Sequence, residues 1–307
     1  MKKKYFLFIL IQLTFFSVFA QQDPQYTQYM YNMSIMNPAY AGSKENISGG
    51  VLYRKQWVQI EGAPNTGTFF IHSPFNNKVG LGLSTIYDKI GPVEETNMYA
   101  DFSYTLNLGG DNKLAFGLKG GGTFHKIGLY SQIGDGRVPD LNDPAFQQNS
   151  SNSFLNFGAG LFYYTNKYYV AISVPNMLKT NYLDIKGRKF GTEIQHYFIT
   201  SGYVFELNQG LKFKPSFMIK SAINAPVSFD LSSNLLIYDK FELGGTYRLQ
   251  DSFGFMANFV ISPNLRIGYA YDHIVTDLNI TTPSSHEILL LFNLNIPNKV
   301  SQSPRYF

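Results

Sequence analysis

From about Asn46 onward, hydrophobic and polar positions alternate with a period of two. Met98, Ala100, Phe102, Tyr104 and Leu106 interleave with Asn97, Tyr99, Asp101, Ser103 and Thr105. Leu265, Ile267, Tyr269 and Tyr271 interleave with Arg266, Gly268, Ala270 and Asp272, and the run from Val227 to Ile237 repeats the pattern. Successive side chains of a strand point to opposite faces, so each run predicts a β-strand with one apolar and one polar face. Lys119, Asp230, Glu242, Arg248 and Arg266 all fall on the second face. Many runs last nine residues or more, as a tilted membrane-crossing strand requires, against ~5–6 for an ordinary strand.

About fourteen strands are predicted, near 47–57, 65–73, 78–88, 95–107, 112–125, 152–165, 168–174, 192–206, 211–221, 226–237, 240–249, 252–262, 264–273 and 286–296. An even count suits a single-chain bacterial barrel. Every second connection is tight and built from turn formers: Asn76-Asn77, Gly109-Gly110-Asp111, Thr165-Asn166-Lys167, Asn208-Gln209-Gly210, Asp239 and Ser262-Pro263-Asn264. The others, at 58–64, 89–94, 126–151, 175–191, 222–225 and 274–285, are mostly longer, and only the one at Gln250-Asp251 is short. Tight periplasmic turns alternating with longer outer loops distinguish a membrane barrel from a soluble sandwich. The expected fold is therefore all-β: a transmembrane outer-membrane β-barrel of about 14 antiparallel strands over 46–297, with a periplasmic tail at 298–307.

The first forty-five residues break this pattern. Lys2, Lys3 and Lys4 precede an apolar stretch from Tyr5 to Phe19, and Ala20 follows. This predicts a signal peptide over 1–20, too short for a spanning helix of ~20 residues, with an uncleaved anchor as the alternative. Residues 21–45 form a periplasmic N-terminal segment in this reading. Asp23 suits a helix N-cap and Pro24 the first helical position. Tyr26, Tyr29, Met30, Met33 and Met36 fall near helical spacing, until Asn37-Pro38 ends it. A short amphipathic helix is expected beneath or inside the barrel, as a plug that fills the lumen or as a docking surface for a periplasmic partner.

Composition narrows the function. Aromatic residues are 16% and charged residues 15%, the latter against ~25% in soluble domains. Without the three leader lysines, Lys and Arg fall from 25 to 22 against 21 Asp and Glu, so no basic excess remains for nucleic acid. There is no Cys, hence no disulfide, lipid-anchored Cys or thiolate metal site. His72, His125, His196, His273 and His286 show no catalytic or metal-ligand spacing, and Gly120-Gly121-Gly122 lacks the Lys-Ser/Thr of a phosphate loop. No catalytic residue, cofactor or metal is expected. Asp135, Asp140 and Asp143 with Asn142 offer oxygen ligands for Ca²⁺, but they do not follow the EF-hand pattern, and Pro139 and Pro144 suit a plain surface loop. Lys212, Lys214 and Lys220 share one strand face. They predict either an anion-attracting lumen or a salt-bridged interior, with Asp101, Asp230, Glu242 and Asp272 as available partners and Arg248 among the lumen charges.

One succession of motifs is specific. Asp23-Pro24-Gln25-Tyr26-Thr27-Gln28-Tyr29-Met30 is followed by Asn37-Pro38-Ala39-Tyr40-Ala41-Gly42 and Tyr53-Arg54-Lys55-Gln56-Trp57. Gly62-Ala63-Pro64-Asn65-Thr66, Gly80-Leu81-Gly82-Leu83-Ser84 and Asp88-Lys89-Ile90-Gly91-Pro92 come next. Together they resemble the PorP/SprF family of type IX secretion system membrane proteins over about the first hundred residues. The resemblance implies a non-enzymatic outer-membrane component that assists export or surface anchoring of a large secreted adhesin or gliding-type protein. Its partners would be outer-membrane lipid, the adhesin's C-terminal domain and periplasmic machinery. Asp23, Pro24, Tyr26, Tyr29, Asn37, Pro38, Tyr40, Gly42, Arg54, Trp57, Gly62 and Pro64 are the motif positions where partner contact is expected. Trp57, the single Trp, also fits a membrane-interface residue. The rival expectation is a passive or solute-selective channel, since fourteen strands enclose a lumen unless something fills it.

Overall fold

The computed structural model describes residues 24–44, 46–128, 150–179, 181–185, 188–192, 194–223, 225–276, 279 and 284–294. The signal peptide, Asp23, the acidic cluster of the 126–151 loop and the 298–307 tail lie outside these residues.

Seventeen strands are present among the described residues: β1 (Ile47–Lys55), β2 (Asn65–Pro74), β3 (Val79–Ile90), β4 (Val93–Gly109), β5 (Asn112–Ile127), β6 (Ser150–Tyr164), β7 (Tyr168–Val174), β8 (Asn181–Ile185), β9 (Arg188–Thr192), β10 (His196–Tyr203), β11 (Phe205–Asn208), β12 (Leu211–Ala222), β13 (Ser228–Ile237), β14 (Phe241–Arg248), β15 (Ser252–Ser262), β16 (Leu265–Ile274) and β17 (Ser284–Leu294). β8 and β9 pair only with each other, and β10 and β11 are two segments of one wall strand interrupted at Val204. The wall thus has fourteen antiparallel strands. It closes where β1 pairs with β17, from Ile47↔Leu294 to Lys55↔His286. Closure leaves no free sheet edge at that seam, as a membrane barrel needs when lipid cannot pair with open N–H and C=O groups.

Burial is inverted relative to a soluble protein. Val51, Phe69, Leu83, Phe255, Ile267 and Leu290 are exposed on the outer face, while Arg54, Asp101, Lys119, Asp230, Glu242, Asp272 and Glu287 are buried inside. The lipid-facing parity is apolar and the bore-facing parity polar, which the alternating sequence dictates. Near the tight turns, Tyr163, Tyr168, Tyr203, Phe205 and Phe213 form a run of neighbouring rings across the wall. Aromatic side chains concentrate at the level where lipid headgroups meet acyl chains.

The connections alternate in length as expected. The turns at 75–78, 110–111, 165–167, 209–210, 238–240 and 263–264 lie at one end, and the 56–64, 91–92 and 249–251 connections lie at the other, where β5, β7 and β16 also end. Two details differ from expectation. The 89–94 stretch is a tight connection of 91–92, because β3 runs on to Ile90 and β4 starts at Val93. There Gly91 adopts a positive φ of 55° and its N–H donates to the Gly62 carbonyl, so a turn forms where the polar residues suggested a loop. The 175–191 stretch carries the β8–β9 hairpin.

Residues 24–42 carry the expected short helical segment, and the difference concerns its form. They form no amphipathic helix but three short turns, the 3-10 turns Tyr29–Tyr31 and Pro38–Tyr40 flanking a single helical turn Met33–Met36. Residues 26–41 are all buried, with no solvent-facing side. The Tyr and Met spacing that suggests one apolar stripe reflects a segment enclosed by the wall on every side, where a stripe is not needed.

The outward parity yields a direct test. Leu290→Arg places a charge on the lipid face and is expected to destabilise the barrel by about 2–4 kcal/mol if it sits near the bilayer midplane. The check is urea unfolding in lipid vesicles; an unchanged midpoint would contradict the outward placement of this residue.

Candidate functional site

The bore and the segment that fills it are the chemically distinctive part of the molecule. Each wall strand sends its polar parity inward, so the ionised groups of different strands meet across the lumen. Three clusters result, and each holds a different part of the 24–42 segment.

At the loop end, Arg54 of β1 pairs with Asp272 of β16 at 2.6 Å and with Glu287 of β17 at 3.3 Å. Glu287 also accepts from the backbone N–H groups of Thr27 (3.0 Å) and Gln28 (2.9 Å). The Thr27 hydroxyl donates to Asp272 and accepts from Arg54 at 2.9 Å. Beside them Arg248 makes a two-pronged contact with Asp230, at 3.0 and 2.9 Å, and reaches Asp251 at 3.2 Å. Two-pronged Arg–carboxylate pairs are the stronger and more directional kind.

Toward the turn end, Glu242 of β14 receives Lys214 and Arg266, each at 3.2 Å, and the amide of Asn234 at 2.6 Å. The Tyr31 hydroxyl donates to the same carboxylate, and Lys214 donates to that hydroxyl at 2.9 Å. Lys214 and Arg266 both lie over the Tyr31 ring, about 5 Å from its centroid, a favourable cation–π placement. On the opposite wall Lys119 pairs with Asp101 at 3.6 Å and donates to the Ile35 carbonyl at 2.9 Å.

Below these clamps the segment packs against glycines. A Cβ on Gly117 would stand 2.0 Å from Ala39 N, and one on Gly160 would stand 2.1 Å from Asn37 Oδ1. The Asn37 amide donates to the Leu161 carbonyl at 3.0 Å, and its Oδ1 accepts from Ala39 N–H at 2.9 Å. Tyr40 packs edge-on against His72 and Phe162. Gly42, at a φ of +69° that suits glycine, donates to His72 Nδ1 at 3.1 Å and lies against Gly80.

The motif positions therefore gather into two groups. Tyr26, Tyr29, Asn37, Pro38, Tyr40, Gly42 and Arg54 belong to the bore. Pro24, Trp57 and Pro64 line a cavity of about 430 Å³ at the loop-end mouth, together with Arg54, Arg248 and Asp272. Gly62 lies beside this mouth in the 56–64 loop. Trp57 sits in the left-handed region, with φ 46°, which is uncommon for a bulky residue. Its N–H reaches the Ser285 hydroxyl at 3.2 Å. Of the proposed lumen charges, Lys212 pairs with Asp239 at 2.6 Å, Lys214 with Glu242, and Asp230 with Arg248. Lys220 is buried on the same face. Tyr31 and Glu287 carry no motif or spacing that marks them in the sequence, whereas Thr27 falls within the Asp23–Met30 motif and His72 among the five histidines, neither with a bore role assigned. Glu287 lies on the inward parity of β17, between the outward-facing His286 and Ile288, so its direction is readable and its partner is not.

A family model for the type IX secretion system membrane protein PorP/SprF matches residues 18–292. No curated protein matches significantly. Among solved structures, the CymD monoaromatic hydrocarbon channel is 13% identical, with 85% of this chain and 92% of that one covered and a TM-score of 0.51. The P. putida toluene transporter TodX is 10% identical, covering 87% and 95%, at 0.49. The Acinetobacter baumannii outer membrane protein Omp33 is 10% identical, covering 81% and 97%, at 0.45. Such distant likeness speaks to the barrel fold alone.

The clamps predict a measurable consequence. Arg54→Ala leaves Asp272 and Glu287 buried without their cation, and breaking a buried pair in this way costs about 3–5 kcal/mol. The variant is expected to lose heat-resistant mobility in gels and, where it still folds, to conduct ions in planar bilayers as the segment loosens. Gly117→Leu is expected to raise conductance by a separate route, through collision with Ala39. Both variants remaining as stable and as silent as the parent would contradict the clamp.

Proposed function

Since the chain belongs to the PorP/SprF family of type IX secretion system membrane proteins, we propose that it acts as a closed, non-enzymatic barrel that assists export of a large secreted adhesin or holds it at the surface. The observation that carries this reading is the filled bore. Residues 26–41 are buried within the wall and held at Thr27, Tyr31 and Ile35 by three separate charge clusters. A barrel occupied in this way favours recognition on its rims and outer wall over passage through its centre.

In this mechanism the longer loops engage the exported protein's C-terminal domain on the outer side. The tight turns at 75–78, 110–111, 165–167, 209–210, 238–240 and 263–264 face periplasmic machinery. Binding there relies on shape and side-chain contacts, and no bond is made or broken. The family is likewise one of secretion-system membrane proteins and not of enzymes. The 26–41 motif contributes by bracing the wall that carries these rims, since it offers no free surface for a periplasmic partner in this conformation.

The test has two arms. Deletion of the gene is expected to reduce surface display of type IX adhesins, measured by whole-cell antibody labelling, while total outer-membrane protein stays unchanged. Tagged barrel solubilised from outer membranes is expected to recover a large secreted protein together with secretion components by mass spectrometry. Normal surface display after deletion, with the barrel recovered alone and conducting ions, would replace this reading with a channel.

A further inference from the structure

The path of residues 24–42 is pinned at both ends, and the two pins lie on opposite sides of the membrane. Thr27 and Gln28 are bonded to Glu287, Asp272 and Arg54, which sit at the loop ends of β17, β16 and β1. Pro24 and Gln25 lie further out, in the lining of the mouth cavity with Trp57, Asp251 and Ile274. At the other extreme, Ser103 donates to the Ala41 carbonyl at 2.5 Å, and Gly42 rests against Gly80 and Pro74 beside the 75–78 turn. Between these points the segment winds within the bore: Tyr31 bonds to Lys214 near the turn end, Ile35 to Lys119 at mid-strand, and Asn37 to Leu161 near the turn end again.

The segment thus crosses the membrane once inside the bore before the wall begins at Ile47. Tight turns mark the periplasmic end of an outer-membrane barrel. Ile47 and Leu294 pair at that end, whereas Pro24 is at the other. We infer that residues 24–42 enter the bore from the outer face, so that the barrel presents Pro24 and Gln25 to the cell exterior beside the 56–64 loop.

Assembly follows the same logic. Retracting the segment through a finished bore would break the Glu287, Glu242 and Lys119 contacts in turn and drive Asn37 and Ala39 past the wall glycines. The wall therefore closes around a segment already in place. The inference rests on the connectivity of the barrel and holds whichever exported protein it serves.

A chain with no cysteine permits a clean test. Gln25→Cys probes the mouth, Glu61→Cys the 56–64 loop and Gln209→Cys a tight turn, in full-length protein whose folding is checked by heat-modifiable mobility. The reagent is a membrane-impermeant maleimide applied to intact and to permeabilised cells. The expected result is labelling of Gln25→Cys on intact cells to the same extent as Glu61→Cys, with Gln209→Cys at background until permeabilisation. Labelling of Gln25→Cys only after permeabilisation, in step with Gln209→Cys, overturns the inference, and so does a folded variant that labels in neither state. Should Gln25→Cys fail to fold, a protease-cleavable tag inserted directly ahead of Asp23 replaces it. Release of that tag by protease on intact cells supports the outer placement, and release only after permeabilisation refutes it.

Discussion

The constraint on which the rest of the molecule depends is the neutralisation of ionised groups inside a bore surrounded by lipid. An uncompensated buried charge costs several kcal/mol, and pairing alone often fails to recover that cost unless further hydrogen bonds complete the site. Glu287 illustrates the solution: one carboxylate takes a guanidinium from β1 and two backbone N–H groups from residues 27 and 28. Glu242 takes a lysine, an arginine, an amide and a tyrosine hydroxyl. The dependence runs both ways. Residues 24–42 form only three short turns, so many of their backbone groups lack partners within the segment and must find them elsewhere. The polar parity of the wall supplies them, as Lys119 does for Ile35 and Ser103 for Ala41.

Two solvents thus shape one sheet. Lipid outside demands an apolar parity, and strict alternation then forces every remaining residue inward, charges included. Where the segment must lie close to the wall, the inward position is emptied to glycine, as at Gly117 against Ala39 and Gly80 against Ala41. Where it must be held, the inward position is charged. Large inward residues such as Tyr169, Phe162 and Leu289 fill what is left. The filling is dense enough that the wall and the segment form one core.

Much of this was legible in the chain, and the limits follow from what alternation encodes. Period two gave strand existence, strand faces and the alternation of turns and loops, because lipid imposes a uniform requirement on every outward position. It did not give register around the barrel. Arg54 and Glu287 are 233 positions apart and meet because β1 closes on β17, which parity cannot reveal. The 91–92 connection was hidden because Lys89 and Glu94, just beyond the strands expected at 78–88 and 95–107, read as loop. In the structure these residues extend β3 and β4, Lys89 and Glu94 pair at 2.6 Å, and Asp88 and Glu95 stand opposite each other in the ladder. The helical spacing of Tyr26, Tyr29, Met30 and Met33 misled for a related reason. Apolar periodicity reports a boundary between core and solvent, and this segment has none. Pieces that carry the resemblance lie far apart in sequence and still share the bore: Ala41 and Gly42 meet Gly80 at its turn end, and Arg54 grips Thr27 at its loop end.

That arrangement bears on what kind of membrane protein this is. A pore needs a path whose groups can exchange partners with a passing solute, and the groups lining this bore are committed to one another and to the segment. Releasing the segment would require at least three clusters on different strands to open together, because each grips a different residue of it. Loss of one cluster loosens the part of the segment it grips while the others hold the rest. A structure of that kind gains rigidity, and it leaves the two rims and the lipid face as the surfaces not engaged by the segment. The same clamps set Pro24 and Gln25 at the mouth beside Trp57 and Pro64, so the rigidity of the bore and the position of its first described residues are consequences of a single set of buried charges.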